Sequence, residues 1–110
     1  LLGVHIIADI CVIPTTGKTS LREEVAQAVA ILRETGLPVQ VGPFGSVIEG
    51  EFDAVMAAVK RIHEALHAGG AVRITTTIKI GSRVDKPQSA AEKVAAVEEV
   101  LRAPRASEAR

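Results

Sequence analysis

The segment 72–80 alternates between two kinds of side chain and constrains the fold more than any other part of the sequence. One parity is apolar except for a single threonine, and the other is polar throughout: Val72, Ile74, Thr76, Ile78 and Ile80, against Arg73, Thr75, Thr77 and Lys79. Successive side chains of a β-strand point to opposite faces, so this pattern predicts a strand with one buried face. Other elements of the chain must therefore cover one side of a sheet.

Three more strands and three helices are predicted from the rest of the sequence. Residues 4–13 combine a wholly apolar parity with a mixed one, which is typical of a strand with one fully buried face. Apolar stripes at helical period, ended by Gly36, by Gly69 and by Pro104, predict the helices. The predicted strands are 4–13, 37–41, 46–51 and 72–80, and the predicted helices are 20–35, 52–68 and 89–103.

The order of these elements predicts an α+β fold. Strand, helix, strand, strand, helix, strand is the order of a ferredoxin-like βαββαβ sandwich, here followed by an extra C-terminal helix. Right-handed crossovers place the first two helices on one face of a four-stranded antiparallel sheet, with strands one and three in the middle. We expect a single domain over residues 1–103 and a frayed tail over residues 104–110.

One face of that sheet is left without helices, and we call it the uncovered face. It carries Ile7, Asp9, Cys11, Ile13, Val47, Glu49, Arg73, Thr75, Thr77 and Lys79. This mixture is too apolar for a fully solvated face and too polar for a dry core. Because exposed apolar patches usually mark interfaces, we expect a second subunit to cover it, in a homo-oligomer. The alternative is that the third helix folds back over the same face.

The composition argues against several classes of function. Lys plus Arg and Asp plus Glu both number 13, so the basic surface of a nucleic-acid-binding protein is missing. Phe44 and Phe52 are the only aromatic residues, which are too few to stack the bases of RNA. Cys11 is the single cysteine, and it fits a reducing, cytoplasmic setting. The longest apolar run is too short and too polar to span a bilayer.

The loop 14–19 leads into the first predicted helix and is one candidate binding site. Free N–H groups at a helix N-terminus can hold an anion or a polar ligand, and Thr19 and Ser20 would add hydroxyl groups. Alternatively Ser20 only caps the helix, in a capping box with Glu23. Capping is the commoner use of a serine at this position.

Glu49 is the second candidate, because it lies mid-strand on the uncovered face near Asp9, Arg73 and Lys79. A partly buried carboxylate must be paired or bound to a ligand. A cross-strand salt bridge with Arg73 or Lys79 is slightly favoured by the sequence alone. The functional alternative is that Glu49 binds a cationic or amino-bearing heterocycle.

The five residues from His63 to His67 match the H-E-x-x-H pattern of zinc proteases in their letters. His63 lies on the apolar stripe that the fold buries against the sheet, and no motif supplies a third ligand. We therefore expect a coincidence and no metal site. Ser20, His5 and Asp9 offer the residue types of a hydrolase but no recognisable nucleophile–base pair, so no catalytic residue is predicted.

Several segments together resemble those of a known family. They are Ile13-Pro14 followed by residues 19–21, the run GPFGSVIEGE over 42–51, and RITTTIKI over 73–80 with Arg83 and Asp85. In order and spacing these residues resemble the small thiamine-binding proteins, which are similar to the thiamine/hydroxymethylpyrimidine-binding proteins. The resemblance covers residues 4–100. It implies a ferredoxin-like fold and a homotetramer, built as a dimer of dimers through the sheets.

The resemblance also implies binding of thiamine or its hydroxymethylpyrimidine moiety, without catalysis and without a cofactor. The positions that match are Thr19, Ser20, Phe44, Ser46, Glu49 and Lys79, with Ser46 where the family more often has Thr and Phe44 where Met is common. A carboxylate such as Glu49 can accept a hydrogen bond from the pyrimidine amino group, and a Phe ring can stack on the ligand. The competing hypothesis is a structural or interaction module that has no small-molecule ligand.

Overall fold

The computed structural model describes residues 3–104, which form one four-stranded antiparallel sheet and three helices. The elements are β1 (His5–Thr15), α1 (Arg22–Glu34), β2 (Val39–Val41), β3 (Ser46–Glu51), α2 (Phe52–Ala68), β4 (Arg73–Ser82) and α3 (Ala90–Arg102). The strand order is β2-β3-β1-β4, which confirms the ferredoxin-like fold with an extra C-terminal helix. Of the predicted tail 104–110, only Pro104 lies within the described residues. The single domain over residues 1–103 stays a prediction.

The core lies between the sheet and the first two helices. The even-numbered residues of β1 and β3 supply the sheet side, because each strand turns one parity toward α1 and α2. The largest fully buried side chains are Ile6, Leu32, Ile48, Val55 and Ile62. Burying one such side chain contributes roughly 1.5–3 kcal/mol, so this layer fixes which sheet face is turned to the helices.

β1 runs past the end that the sequence predicted. Pro14 was expected in a loop, but it is buried in β1 opposite Ile74 of β4. β3 pairs with β1 only as far as Ile10, so beyond that point β1 has β4 as its neighbour on one side. A strand with one open side tolerates the missing N–H of proline.

The first helix begins later than the sequence predicted. Leu21 is the N-cap of α1 and gives no side-chain cap, while Ser20 accepts a hydrogen bond of 3.4 Å from the Arg22 N–H. The predicted capping box of Ser20 with Glu23 is therefore wrong, because Ser20 precedes the N-cap. The predicted end is confirmed, since Gly36 follows the helix with a φ of +75° that a residue with a Cβ rarely adopts.

The third helix leaves the uncovered face open. No residue of α3 is buried, and every residue from 91 to 104 is exposed. The alternative in which α3 folds back over its own sheet is therefore wrong. Ile7, Cys11 and Val47 on the uncovered face are half-buried, and Ile13 is 51% exposed. Both α3 and this face keep apolar side chains in contact with water.

Candidate functional site

Three charged residues lie across neighbouring strands at one end of the uncovered face. Glu49 of β3 is opposite Ile7 of β1, and Asp9 of β1 is opposite Lys79 of β4. Diagonal neighbours in an antiparallel pair are about 7–8 Å apart, so the carboxylates of Glu49 and Asp9 share one small area. Among residues 3–104, none of these three side chains forms an ion pair.

Glu49 holds the beginning of the third helix. Its two carboxylate oxygens accept hydrogen bonds of 3.3 and 3.1 Å from the backbone N–H of Ala90, the first residue of α3. Ser89 is the N-cap and accepts from the Glu92 N–H. A negative charge at a helix N-terminus is favourable, which explains this contact. A carboxylate has about four acceptor positions, so Glu49 can still receive a ligand N–H.

The floor beside Glu49 is apolar and partly empty. Ile7 is half-buried and lies between Glu49 and Gly81, because both are its cross-strand partners. A Cβ added at Gly81 would meet no atom within 4 Å. A flat ring can therefore lie over Ile7 and Gly81 with its edge toward Glu49. Gly81 was missed because the predicted strand ended at Ile80, although one more step of the alternation places it on this face.

Asp9 is held against the turn between β2 and β3. A Cβ added at Gly45 would lie 2.8 Å from Asp9 Oδ1 and 2.9 Å from the backbone oxygen of Ile10. These approaches are too close for any residue with a side chain. Glycine at this position therefore allows the Asp9 carboxylate to lie beside the start of β3.

The loop between β4 and α3 is fixed by one arginine. Arg83 donates to both oxygens of Asp85, at 2.5 and 2.9 Å, and to Gln88 Oε1 at 2.9 Å. The hydrogen bonds from Arg83 hold the pKa of the Asp85 carboxyl below its usual value, and they raise the pKa of Arg83. The Arg83 charge is thus matched within the loop. The area beside Glu49 then carries the carboxylates of Asp9 and Glu49 and the ammonium of Lys79.

A second hollow, which we call the α1 groove, lies between α1 and the edge strand β2. Its volume is about 630 Å³, and its lining consists of Thr19, Ser20, Leu21, Arg22, Val25, Ala26, Val29, Arg33 and Val41. Among the described residues neither arginine pairs with a carboxylate. This groove is apolar in its middle and cationic at its two ends.

The six residues matched by the family resemblance fall into two groups. Glu49 and Lys79 lie on the uncovered face, while Thr19 and Ser20 line the α1 groove. Ser46 is buried on the helix side of β3, opposite Val41, and Phe44 is 89% exposed in the neighbouring turn. The structure therefore does not bring all six together.

The salt bridge expected for Glu49 is absent from the described residues, and the register explains why. Arg73 is opposite Thr15, eight positions along β1 from Ile7, which is about 26 Å at the rise of a strand. The expectation that Arg73 lies near Glu49 is therefore wrong. Lys79 is one strand further from β3 and is opposite Asp9 instead.

Both histidines of the H-E-x-x-H segment use a ring nitrogen within the fold. His63 Nε2 is 2.6 Å from Thr76 Oγ1, and His67 Nδ1 is 2.7 Å from the Ala71 carbonyl oxygen. Within residues 3–104 no group of three or more His, Cys, Asp or Glu side chains is arranged to hold a metal ion. None of the helices in the same part of the chain has the length and apolar character that crossing a bilayer requires.

Comparison with known proteins identifies the family. The sequence profile of the family described as Thiamine-binding protein matches residues 8–98, which include Asp9, Glu49 and Lys79. The chain belongs to this family. Its relatives include UPF0045 protein sll0230 of Synechocystis, 44% identical over 96 residues, which are 87% of this chain and 79% of the relative. UPF0045 protein ECM15 of Eremothecium gossypii is 38% identical over 89% of this chain and 94% of its own length.

Solved structures of similar proteins share the fold. Protein MJ1052 of Methanocaldococcus jannaschii superposes with a TM-score of 0.80 at 26% identity, covering 86% of this chain and 97% of that protein. TM0486 of Thermotoga maritima, to which a role in thiamine biosynthesis or salvage is ascribed, gives a TM-score of 0.73 at 26% identity. That match covers 84% of this chain and 98% of TM0486.

Proposed function

We propose that the protein binds thiamine, or its hydroxymethylpyrimidine moiety, on the uncovered face beside Glu49. Membership of the Thiamine-binding protein family supports the ligand class. The observation that supports the place is the pair of carboxylates, Asp9 and Glu49, beside the open apolar floor of Ile7 and Gly81. A cationic thiazolium joined to an aminopyrimidine matches an area that is acidic and apolar.

Each residue of the area has a distinct role in this proposal. Glu49 accepts a hydrogen bond from the amino group or from a protonated ring nitrogen of the pyrimidine. Asp9 provides the counter-charge for the thiazolium. Lys79 donates to a ring nitrogen or to the hydroxymethyl oxygen, and Ile7 contacts the face of the ring.

The other matched residues suit a different part of the ligand. Thr19 and Ser20 lie in the α1 groove with Arg22 and Arg33, which favours an anion such as the phosphate of a thiamine phosphate. Ser46 and Phe44 lie at the β2 end of the sheet near that groove. A ligand in the α1 groove would therefore compete with phosphate esters for binding, and it would not compete with hydroxymethylpyrimidine.

The proposal has no chemical step. The protein is a non-enzymatic, cytoplasmic binder that needs no cofactor and works as a homo-oligomer, a dimer of dimers. In one chain the area beside Glu49 is an open surface, whereas small ligands are usually held in clefts that bury most of their surface. A second copy placed on the uncovered face would turn this area into a cleft, and this supports the oligomer.

Isothermal calorimetry with thiamine, hydroxymethylpyrimidine and thiamine phosphate tests the ligand class, and sedimentation at the same protein concentration gives the oligomer. We expect saturable binding of thiamine or hydroxymethylpyrimidine. Flat heats from a protein that is folded and oligomeric would favour the competing hypothesis of an interaction module. Binding of the phosphate ester alone would move the site to the α1 groove.

A further inference from the structure

We infer that His63 and His67 form a binding site for a divalent transition-metal ion of the class Cu²⁺, Ni²⁺ and Zn²⁺, at the C-terminal end of α2. The site goes beyond the proposed function, because His63 contacts the helix side of the sheet and Glu49 lies on the uncovered face. Its test uses the metal ion alone, so it can fail while thiamine binding stands.

The two histidines are neighbours on the last turns of α2. They are four residues apart, and side chains at this spacing lie one above the other on a helix. Their ring centroids are 6.2 Å apart, with the ring planes tilted by 59°. Two imidazoles that share one ion, with metal–nitrogen bonds of about 2.0–2.1 Å, have ring centres about 5–6 Å apart. A shift of roughly 1 Å therefore brings the pair to the separation of a chelate.

The hydrogen bond of His67 determines which of its ring nitrogens is free. Its Nδ1 is 2.7 Å from the carbonyl oxygen of Ala71. Because a carbonyl oxygen only accepts, Nδ1 carries the hydrogen and the lone pair is on Nε2. A histidine that binds a metal almost always donates its other ring N–H to a carbonyl, a carboxylate or water. His67 already makes this supporting contact, and its side chain is exposed to solvent.

His63 makes a matching contact with the sheet. Its Nε2 is 2.6 Å from Oγ1 of Thr76 in β4, and both residues are half-buried. A hydroxyl oxygen can accept from this nitrogen, and the lone pair of the ring is then on Nδ1. Each histidine thus has one ring nitrogen bonded within the fold and one that can bind a metal.

The electrostatics at this end of α2 favour a cation. The helix ends at Ala68, one residue after His67, and a helix C-terminus carries a partial negative charge. Imidazole suits copper, nickel and zinc, and Cu²⁺ binds most tightly among these ions. Water completes the coordination in a site with two histidines, so the metal is bound without the three protein ligands of a catalytic zinc centre.

This inference departs from the sequence-based expectation of no metal site. That expectation assumed that His63 is buried against the sheet and that a third protein ligand is needed. His63 is only half-buried, and His67 is exposed. The H-E-x-x-H segment therefore has the accessibility of a metal-binding pair without the machinery of a protease.

Titration of the full chain with copper chloride tests the site, with the bound Cu²⁺ followed by electron paramagnetic resonance. His67→Ala removes an exposed ligand, so the fold should persist. His5→Ala is the matched control, because His5 is the third histidine of the chain and is also exposed. The double variant H67A/A68H keeps the number of histidines but moves one of them off the shared side of the helix. Thr76→Val removes the hydroxyl beside His63 and keeps the β-branched shape.

We expect wild type and His5→Ala to bind Cu²⁺ equally, with the spectrum of an ion coordinated by two imidazole nitrogens. The affinity should fall by about ten-fold or more in His67→Ala, in H67A/A68H and in Thr76→Val. Wild-type affinity in His67→Ala or in H67A/A68H would overturn the inference, since neither the second ligand nor its spacing would matter. A loss in His5→Ala as large as that in His67→Ala would overturn it as well.

Discussion

Replacing Glu49 with Gln separates the two tasks of this carboxylate. Glutamine keeps the shape and one acceptor oxygen, so the Ala90 N–H, now 3.1 Å from Oε2, keeps a hydrogen-bond partner. The substitution removes only the negative charge. That charge faces the N-terminus of α3 and, in our proposal, the cationic ligand.

The substitution should lower the free energy of unfolding and the affinity for thiamine by different amounts. Charge at an exposed helix N-terminus is worth about 0.3–1 kcal/mol, so the free energy of unfolding should fall by no more than about 1 kcal/mol. A hydrogen bond to a charged group is worth about 1.5–3 kcal/mol and a neutral one about 0.5–1.5 kcal/mol. The loss of roughly 1–1.5 kcal/mol in binding corresponds to about a ten-fold weaker affinity for thiamine.

Glu51 provides the matched control, because it is a carboxylate of the same strand that also holds a helix. It accepts hydrogen bonds from the N–H groups of Asp53 and Ala54 at 2.9 and 3.2 Å and so caps α2. Urea denaturation at fixed protein concentration should show a loss of about 1 kcal/mol for Glu51→Gln as well. Calorimetry should show weaker thiamine binding for Glu49→Gln alone. Equal affinities of wild type and Glu49→Gln, or equal losses in both variants, would refute the assignment of Glu49.

Three further predictions concern the frame of the site. Ile62→Ala should lower the free energy of unfolding by about 2–5 kcal/mol in urea denaturation, because Ile62 is fully buried; a loss below 1 kcal/mol would contradict the packing. Gly45→Ala should destabilise by about 1–3 kcal/mol and weaken thiamine binding, since the new Cβ pushes on Asp9; unchanged values in both assays would disprove that contact. The hydrogen bond from Lys18 holds the pKa of Glu24 below its ordinary value of 4.5, so this pair stabilises the fold above pH 4.5 and the contribution is lost as pH falls through the lowered pKa. Lys18→Met should raise the Glu24 pKa in an NMR titration, and an unmoved pKa would refute the pairing.

The sequence predicted those parts of the fold that depend on local patterns. β3 and α2 have the predicted bounds, since Glu51 caps α2 and Gly69 ends it. The faces of β1 and β4 followed from parity alone. Pro14 was misplaced because its place in β1 depends on where β3 stops, which is a property of the whole sheet and not of the residues around the proline.

The candidate site was predictable in its residues but not in their partners. The place of Glu49 on a mixed strand face predicts a functional carboxylate, yet its partner is the backbone of Ala90, 41 residues away. No side-chain pattern encodes a backbone N–H, so this contact could not be read from the sequence. The periodicity of α3 likewise predicted a helix with an apolar stripe and left open which surface the stripe covers.

A crystal structure of the oligomer with saturating thiamine tests the central claim most directly. We predict the aminopyrimidine over Ile7 and Gly81, with its amino group within hydrogen-bond distance of Glu49 and the thiazolium near Asp9. Ligand in the α1 groove beside Arg22 and Arg33, or an uncovered face with no ligand at saturation, would contradict the account.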